Sequence, residues 1–145
     1  MVLLATVAVV GVTTAQAEDA KPDSESIQGT WKIVGMESDG NPVPEEGFKQ
    51  VQFVFVGEKF RIIDKSGEHE TIEAAFKLDP TKNPTTLDPT FLNSPLKGKK
   101  VPCIYELKGD DLKLAWPEPG KEDRPTEFKT APGSDVALYV LKRAK

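Results

Sequence analysis

Proline, glycine and other turn residues divide this chain into short segments. The 145 residues include 12 Pro and 11 Gly, and between them lie runs in which apolar and polar side chains alternate. Alternation with a period of two places apolar side chains on one face of a β-strand, and short Gly- or Asp-containing connections favour hairpins. The sequence therefore predicts an all-β fold of consecutive antiparallel strands with very little helix.

Nine segments after residue 26 show this strand pattern. Gly57-Glu58 and Gly109-Asp110-Asp111 are short enough to be hairpin turns, whereas residues 44–49 are expected to form one helical turn. Pro89 lies inside the fifth segment, where it predicts an edge strand or a bulge because proline cannot donate a ladder hydrogen bond. The predicted strands are 29–38, 51–56, 59–63, 71–78, 85–92, 99–108, 112–116, 126–130 and 136–142.

Consecutive antiparallel strands can form a sandwich or a barrel, and closure into a barrel of about eight strands removes the exposed edges. We therefore expect an antiparallel barrel of eight or nine strands, with the loops 38–50 and 117–125 as the rims of any opening. For the last strand, alternation places Leu138 and Val140 on the inner face, and the opposite choice, Tyr139 with Leu141, is nearly as good. Alternation places the other inward side chains at Trp31, Ile33, Phe53, Phe55, Phe60, Ile62, Phe76, Cys103, Tyr105, Leu114, Trp116 and Phe128.

Aromatic residues dominate this predicted interior. They either pack on each other as an ordinary core or line a cavity for a small apolar ligand, and eight-stranded barrels of both kinds are known. The shortness of the domain favours a filled or narrow interior. The candidate ligand-lining residues are Phe53, Phe55, Phe60, Ile62, Phe76, Tyr105, Leu114 and Trp116.

The N-terminal residues have the pattern of a secretory signal. An apolar run from Val2 to Val12 is followed by Ala15-Gln16-Ala17, the small-x-small pattern that signal peptidase accepts. The run is too short for the roughly 20 residues that span a bilayer. We expect cleavage after residue 17, a flexible leader at 18–26, a domain at 27–143, and an exported protein of the periplasm, cell envelope or medium with no transmembrane span.

Charge and motif content argue against most catalytic classes. The net charge of −4 does not favour nucleic acid as a partner. His69 is the one histidine and Cys103 the one cysteine, so we expect neither a disulfide nor a metal site. Phosphate-binding glycine loops and a nucleophile elbow are absent. We therefore expect no enzyme and no cofactor.

Gly29-Thr30-Trp31, at the head of the first predicted strand, resembles the opening Gly-x-Trp motif of lipocalin-like, calycin-type barrels. The resemblance implies that Trp31 closes the base of the barrel beside Gly29. It also implies that a late arginine, here Arg143, lies across the indole ring, where a cation contributes roughly 0.5–2 kcal/mol.

A wider set of motifs resembles an uncharacterised lipocalin-like domain family that is abundant in planctomycete bacteria. The resemblance covers residues 27–143 and implies a fold and an exported setting, but it carries no activity. The motifs are Ile27 to Lys32, Asn41 to Glu46, Phe76 to Lys82, Ile104 to Leu107, Pro119 to Lys121, Arg124 to Phe128 and Leu141 to Arg143.

Two functions are compatible with this sequence. The first is a binding module that holds a small apolar molecule in the barrel. The second is a structural or protein-interaction domain of the cell envelope, with a packed core, no ligand and an envelope protein as its partner. In either case we expect a monomer.

Overall fold

Nine strands follow one another in the part of the chain that the structure describes, residues 21–119 and 121–144. The structure is a computed structural model. Helix is confined in these residues to α1 (Asp23–Ser26) and a 3-10 turn at Glu45–Gly47. The strands are β1 (Gly29–Ser38), β2 (Asn41–Pro42), β3 (Val51–Val56), β4 (Lys59–Asp64), β5 (Ile72–Asp79), β6 (Thr86–Phe91), β7 (Cys103–Lys108), β8 (Asp111–Pro117) and β9 (Val136–Arg143).

The strands form one antiparallel sheet that closes on itself. Strands β3 to β9 pair in sequence order, β1 pairs with β3 on one side, and β1 also pairs with β9, from Trp31 opposite Arg143 to Ser38 opposite Ala137. Strand β2 is a two-residue addition beside the end of β1. The predicted all-β barrel is therefore confirmed, with eight strands in the closed ring, and the sandwich alternative is excluded.

The predicted strand at 126–130 is wrong. Strands β8 and β9 pair directly along their whole length, from Asp111 opposite Lys142 to Pro117 opposite Val136, so the sheet has no place for a strand between them. The described residues between them, 118–119 and 121–135, lie outside the sheet. Phe128 is consequently only half-buried and does not belong to the interior cluster.

A row of buried apolar side chains on the outer face of the barrel explains where this segment goes. Ile104, Ala115 and Leu138 lie opposite one another on β7, β8 and β9. They are at most 7% exposed, yet they do not belong to the interior cluster. The Arg124 guanidinium donates to the Cys103 carbonyl at one end of the row, and Thr130 accepts from the Gly40 amide at the other. We infer that the segment covers this row.

The inner face of β9 is the second of the two predicted choices. Leu141 is fully buried in the interior cluster and Tyr139 packs against it, whereas Leu138 and Val140 face outward. The pairing of β1 with β9 shifts between Ile33 and Gly35. Placing Leu138 and Val140 inside is therefore wrong.

Pro89 interrupts the sheet without making β6 an outer edge. Strand β6 lies between β5 and β7, but its regular pairing with β7 is limited to Thr86 and Leu87. The Pro89 carbonyl accepts a hydrogen bond from the Val101 amide. The Pro89 nitrogen, which has no hydrogen to donate, faces the same neighbouring segment. Strand β7 accordingly begins at Cys103, later than the predicted start at residue 99.

The folded part begins earlier than the predicted domain boundary at residue 27. Residues of the predicted flexible leader form α1, and the Tyr105 hydroxyl donates to the Asp23 carboxylate at 2.6 Å. Burial, followed by the Asp23 contact, raises the pKa of Tyr105. This contact and those of Arg143 described below hold α1 against the closed end of the barrel. The predicted signal at 1–17 lies outside the described residues.

Candidate binding site at the open end of the barrel

Aromatic side chains fill the middle of the barrel. Phe53, Phe55, Phe60 and Phe76 come from three neighbouring strands, and the centroids of their contacting rings are 5.2–6.4 Å apart. Offset and edge-to-face packing at these distances is the favourable geometry for aromatic pairs. These rings therefore form a core and leave no room for a ligand between them.

Tyr105, Leu114 and Cys103 complete this core on the opposite wall. Each is at most 1% exposed. Burial raises the pKa of the Cys103 thiol well above its ordinary value, which keeps it protonated and weakly nucleophilic. Seven of the eight predicted lining residues belong to the buried interior cluster, namely Phe53, Phe55, Phe60, Phe76, Tyr105, Leu114 and Trp116, and Ile62 packs against it.

A hollow of about 520 Å³ remains at one end of the barrel, above these packed rings, and we call it the cup. Trp116 and Tyr139 form its floor, and their rings meet edge to face with centroids 6.1 Å apart. Both rings also contact Phe53, which lies at the top of the core. The remaining apolar wall consists mainly of Ile62, Ile72, Phe91 and Leu96.

The two loops predicted as rims surround this opening. The first contributes Asp39 and the second contributes Glu118. Asp135, immediately before β9, ties them together: its amide donates to the Asp39 carboxylate and its carbonyl accepts from the Glu118 amide. Lys121 adds an ion pair to Asp135 at 3.1 Å. The rim is thus held by hydrogen bonds between segments far apart in the sequence.

A second hollow of about 610 Å³ adjoins the cup, and we call it the side pocket. It shares Ile62 and Ile72 with the cup, because these two residues are paired across β4 and β5. Phe48 and Val51 supply further apolar surface, and the acidic turn after β4 supplies polar groups.

Asp64, which lines the side pocket, is a carboxylate with a strongly lowered pKa. Its side chain is 11% exposed and accepts hydrogen bonds from the Ser66 hydroxyl and amide and from His69 Nδ1. These bonds, the Ser66 hydroxyl first, lower the pKa of Asp64 from 3.8 to about 2. The hydrogen bond between the Asp64 carboxylate and the His69 ring in turn raises the pKa of His69 above its ordinary value of 6.5. An ionised carboxylate therefore stands at the inner edge of the side pocket throughout the physiological range.

No family model, curated protein or solved structure matches this chain. The resemblance of its motifs to an uncharacterised lipocalin-like family stays a prediction. Neither helical turn in the described residues is long and apolar enough to cross a membrane. In the same residues, His, Cys, Asp and Glu nowhere form a group of three or more that could hold a metal ion.

Tyr139 brings a hydroxyl to the lining of the cup. Burial of this group raises the pKa of Tyr139 to about 12, which keeps the hydroxyl neutral at physiological pH.

Of the eight predicted ligand-lining residues, Ile62 and Trp116 line the cup. Sequence reasoning missed Phe91, whose strand pattern is broken by Pro89, and Leu96, which lies in a loop. Tyr139 was the second of two choices for β9. The alternating pattern of their strands could have indicated that Phe91 and Tyr139 face inward, but no local feature of the sequence indicates that Leu96 reaches the cup.

Proposed function

We propose that this protein is a small exported binding module that holds a small apolar or amphipathic molecule in the cup. The observation that carries the proposal is the aromatic-floored hollow of about 520 Å³, which persists at one end of an otherwise packed barrel. Most ligand pockets have volumes of about 300–1,000 Å³ and mainly apolar walls with a few polar groups. Export is supported by the signal pattern of residues 1–17.

Burial of apolar surface supplies the affinity in this proposal. A ligand that buries about 150 Å² of its own apolar surface gains roughly 4 kcal/mol at 25 cal/mol/Å², before the costs of ordering it. The floor needs no rearrangement, because Trp116 and Tyr139 are already held by Phe53 beneath them. A pre-organised floor reduces the ordering cost.

A protein-interaction domain is the second candidate function, and exposed valines favour it. Val34 is 47% and Val56 70% exposed on the outer face of β1 and β3. A partner that covers them would use the barrel wall and leave the cup empty. Binding of a ligand should therefore perturb residues of the cup, whereas binding of a partner protein should perturb residues around Val34 and Val56.

Titration with 2-phenylethanol tests the first function. The chain has two tryptophans: Trp116 lies in the cup, whereas Trp31 is fully buried at the closed end and donates from its indole to the Ile27 carbonyl. We expect the Trp116 indole N–H peak in an NMR spectrum to move and the Trp31 peak to stay. Native mass spectrometry of the purified protein complements this by detecting a co-purified molecule.

Matched variants locate the binding. Ala137 lines the cup, and Ala137→Phe should fill it and abolish the shift. The same change at the exposed Ala131 should leave the shift intact. An unmoved Trp116 peak in the unaltered protein, together with perturbation around Val34 and Val56 by an envelope extract, would instead support the interaction domain.

A further inference from the structure

Acidic residues are concentrated around the cup and the side pocket. Their lining residues include no Lys or Arg. Elsewhere in the chain, the other 16 acidic residues are outnumbered by 19 Lys and Arg, so the separation of charge goes beyond the net charge of −4. The lining carboxylates are Asp39, Glu46, Asp64, Glu68, Glu70, Glu118 and Asp135.

Five of these seven carboxylates form no ion pair with a described residue. Asp64 is paired with His69, and Asp135 is paired at the rim with Lys121. The pKa of Lys121 is raised first by Asp135 and then also by the charge of Glu118. Asp39 and Glu118 have no ion pair with any described residue. Both are lining residues of the cup, one from each rim loop.

The floor of the cup supplies an apolar contact surface for the body of a ligand. Trp116 and Tyr139 form this floor and Phe91 adjoins it. The hollow therefore combines an apolar floor with carboxylates among its other lining residues.

We propose that the cup recognises organic amines, molecules that join a small apolar body to a protonated amino group. This inference rests on the proposed binding function and names its ligand class. The apolar body lies on Trp116 and Tyr139, and the ammonium group lies at the rim within reach of Asp39 and Glu118. An anionic molecule of the same shape is repelled by the same carboxylates.

Three probes with one apolar body test the charge preference. Phenethylamine, 2-phenylethanol and 3-phenylpropanoate all carry a phenylethyl group, but their head groups at pH 7 are cationic, neutral and anionic. We expect all binding to be reported by the Trp116 indole peak. The amine should bind about tenfold more tightly than the alcohol, equivalent to about 1.4 kcal/mol, and the carboxylate should bind most weakly.

Rim variants separate charge from shape. Asp39→Asn and Glu118→Gln keep the side-chain size, and asparagine also tolerates the positive φ of 51° at position 39. Together they should bring the amine close to the affinity of the alcohol. The matched control is Asp111→Asn, an exposed carboxylate where β8 begins, at the opposite end of the barrel. It should leave the affinity for the amine unchanged.

The outcomes distinguish the two proposals. If the alcohol and the carboxylate bind as tightly as the amine, the amine preference is overturned and the binding function stands. If 0.5 M NaCl weakens amine binding while alcohol binding is unchanged, the charge argument is supported, because salt screens exposed charges. If none of the three probes moves the Trp116 peak, both the binding function and this inference are overturned.

Discussion

The guanidinium carbon of Arg143 lies 4.4 Å from the centroid of the Trp31 ring. The same guanidinium donates to the Gln28 carbonyl at 2.8 Å and to the Ser26 carbonyl at 2.6 Å. Trp31 in turn donates from its indole nitrogen to the Ile27 carbonyl at 2.8 Å. One side chain from the end of the last strand thus fixes both the indole and the segment that leads into the first strand, which closes the base of the barrel.

Arg143→Ala should lower the free energy of unfolding by about 2–4 kcal/mol. Hydrogen bonds from a charged donor are worth roughly 1.5–3 kcal/mol each, but such contributions are not additive. Urea denaturation measures the change. The control is Arg61→Ala, which removes only the exposed ion pair with Glu73 and should cost less than about 1 kcal/mol. Equal effects of the two substitutions would contradict this role of Arg143.

Gly29→Ala should also destabilise the base, by about 1–3 kcal/mol, because Gly29 has a φ of +117° that side chains rarely adopt. An added Cβ would lie 3.2 Å from Arg143 Nη1. Gly57 is the comparison, since its φ is +65° and no atom lies within 4 Å of a Cβ there. If crowding against Arg143 matters, Gly29→Ala should cost less in the Arg143→Ala background. Strict additivity in this double-mutant cycle would leave backbone strain as the sole cause.

The ion pair of Asp64 and His69 predicts a pH window for its own contribution to stability. The lowered pKa of Asp64 makes its contribution complete above about 3.8 and lost as pH falls towards about 2. The raised pKa of His69 makes its contribution complete below 6.5 and lost as pH rises through the folded pKa. The pair therefore contributes most between about pH 4 and 6.5. An NMR titration should show that the pKa of His69 lies above 6.5, and Asp64→Asn should return this pKa to its ordinary value. A His69 pKa that is the same in both proteins would show that the contact does not form.

Arg124→Ala tests whether residues 118–135 cover the outer row of Ile104, Ala115 and Leu138. Arg124 bonds to the Cys103 carbonyl at 2.8 Å and to Asp88 at 2.7 Å, and its partial exposure reduces the value of this contact to about 1 kcal/mol. We expect faster proteolytic cleavage within 118–135, read by mass spectrometry. Lys129→Ala, which loses only an exposed pair with Glu127, should not change the rate. Equal cleavage rates would show that Arg124 does not hold the segment.

Hairpin turns and alternation were sufficient to predict eight of the nine proposed strands. The exception, residues 126–130, has an acceptable local pattern, but β8 and β9 already occupy each other's hydrogen-bonding edges. Strand β2 was missed because two residues carry no periodic signal. In the candidate site, Ile62 and Trp116 followed from alternation, whereas Leu96 reaches the cup from a loop whose path depends on the rest of the fold.

Turns and alternation predicted eight strands with antiparallel connections, because these signals act over a few neighbouring residues. The base of the barrel followed from the resemblance of the Gly29–Trp31 motif to lipocalin-like barrels. Contacts between strands that are distant in the sequence set which aromatic rings pack in the core and which form the floor of the cup. That choice depends on the register between β1 and β9, including the shift at Ile33 to Gly35. Closure of the sheet also brings the Asp135 amide to the Asp39 carboxylate, 96 residues away in the sequence. These contacts form only when the ring of strands is closed.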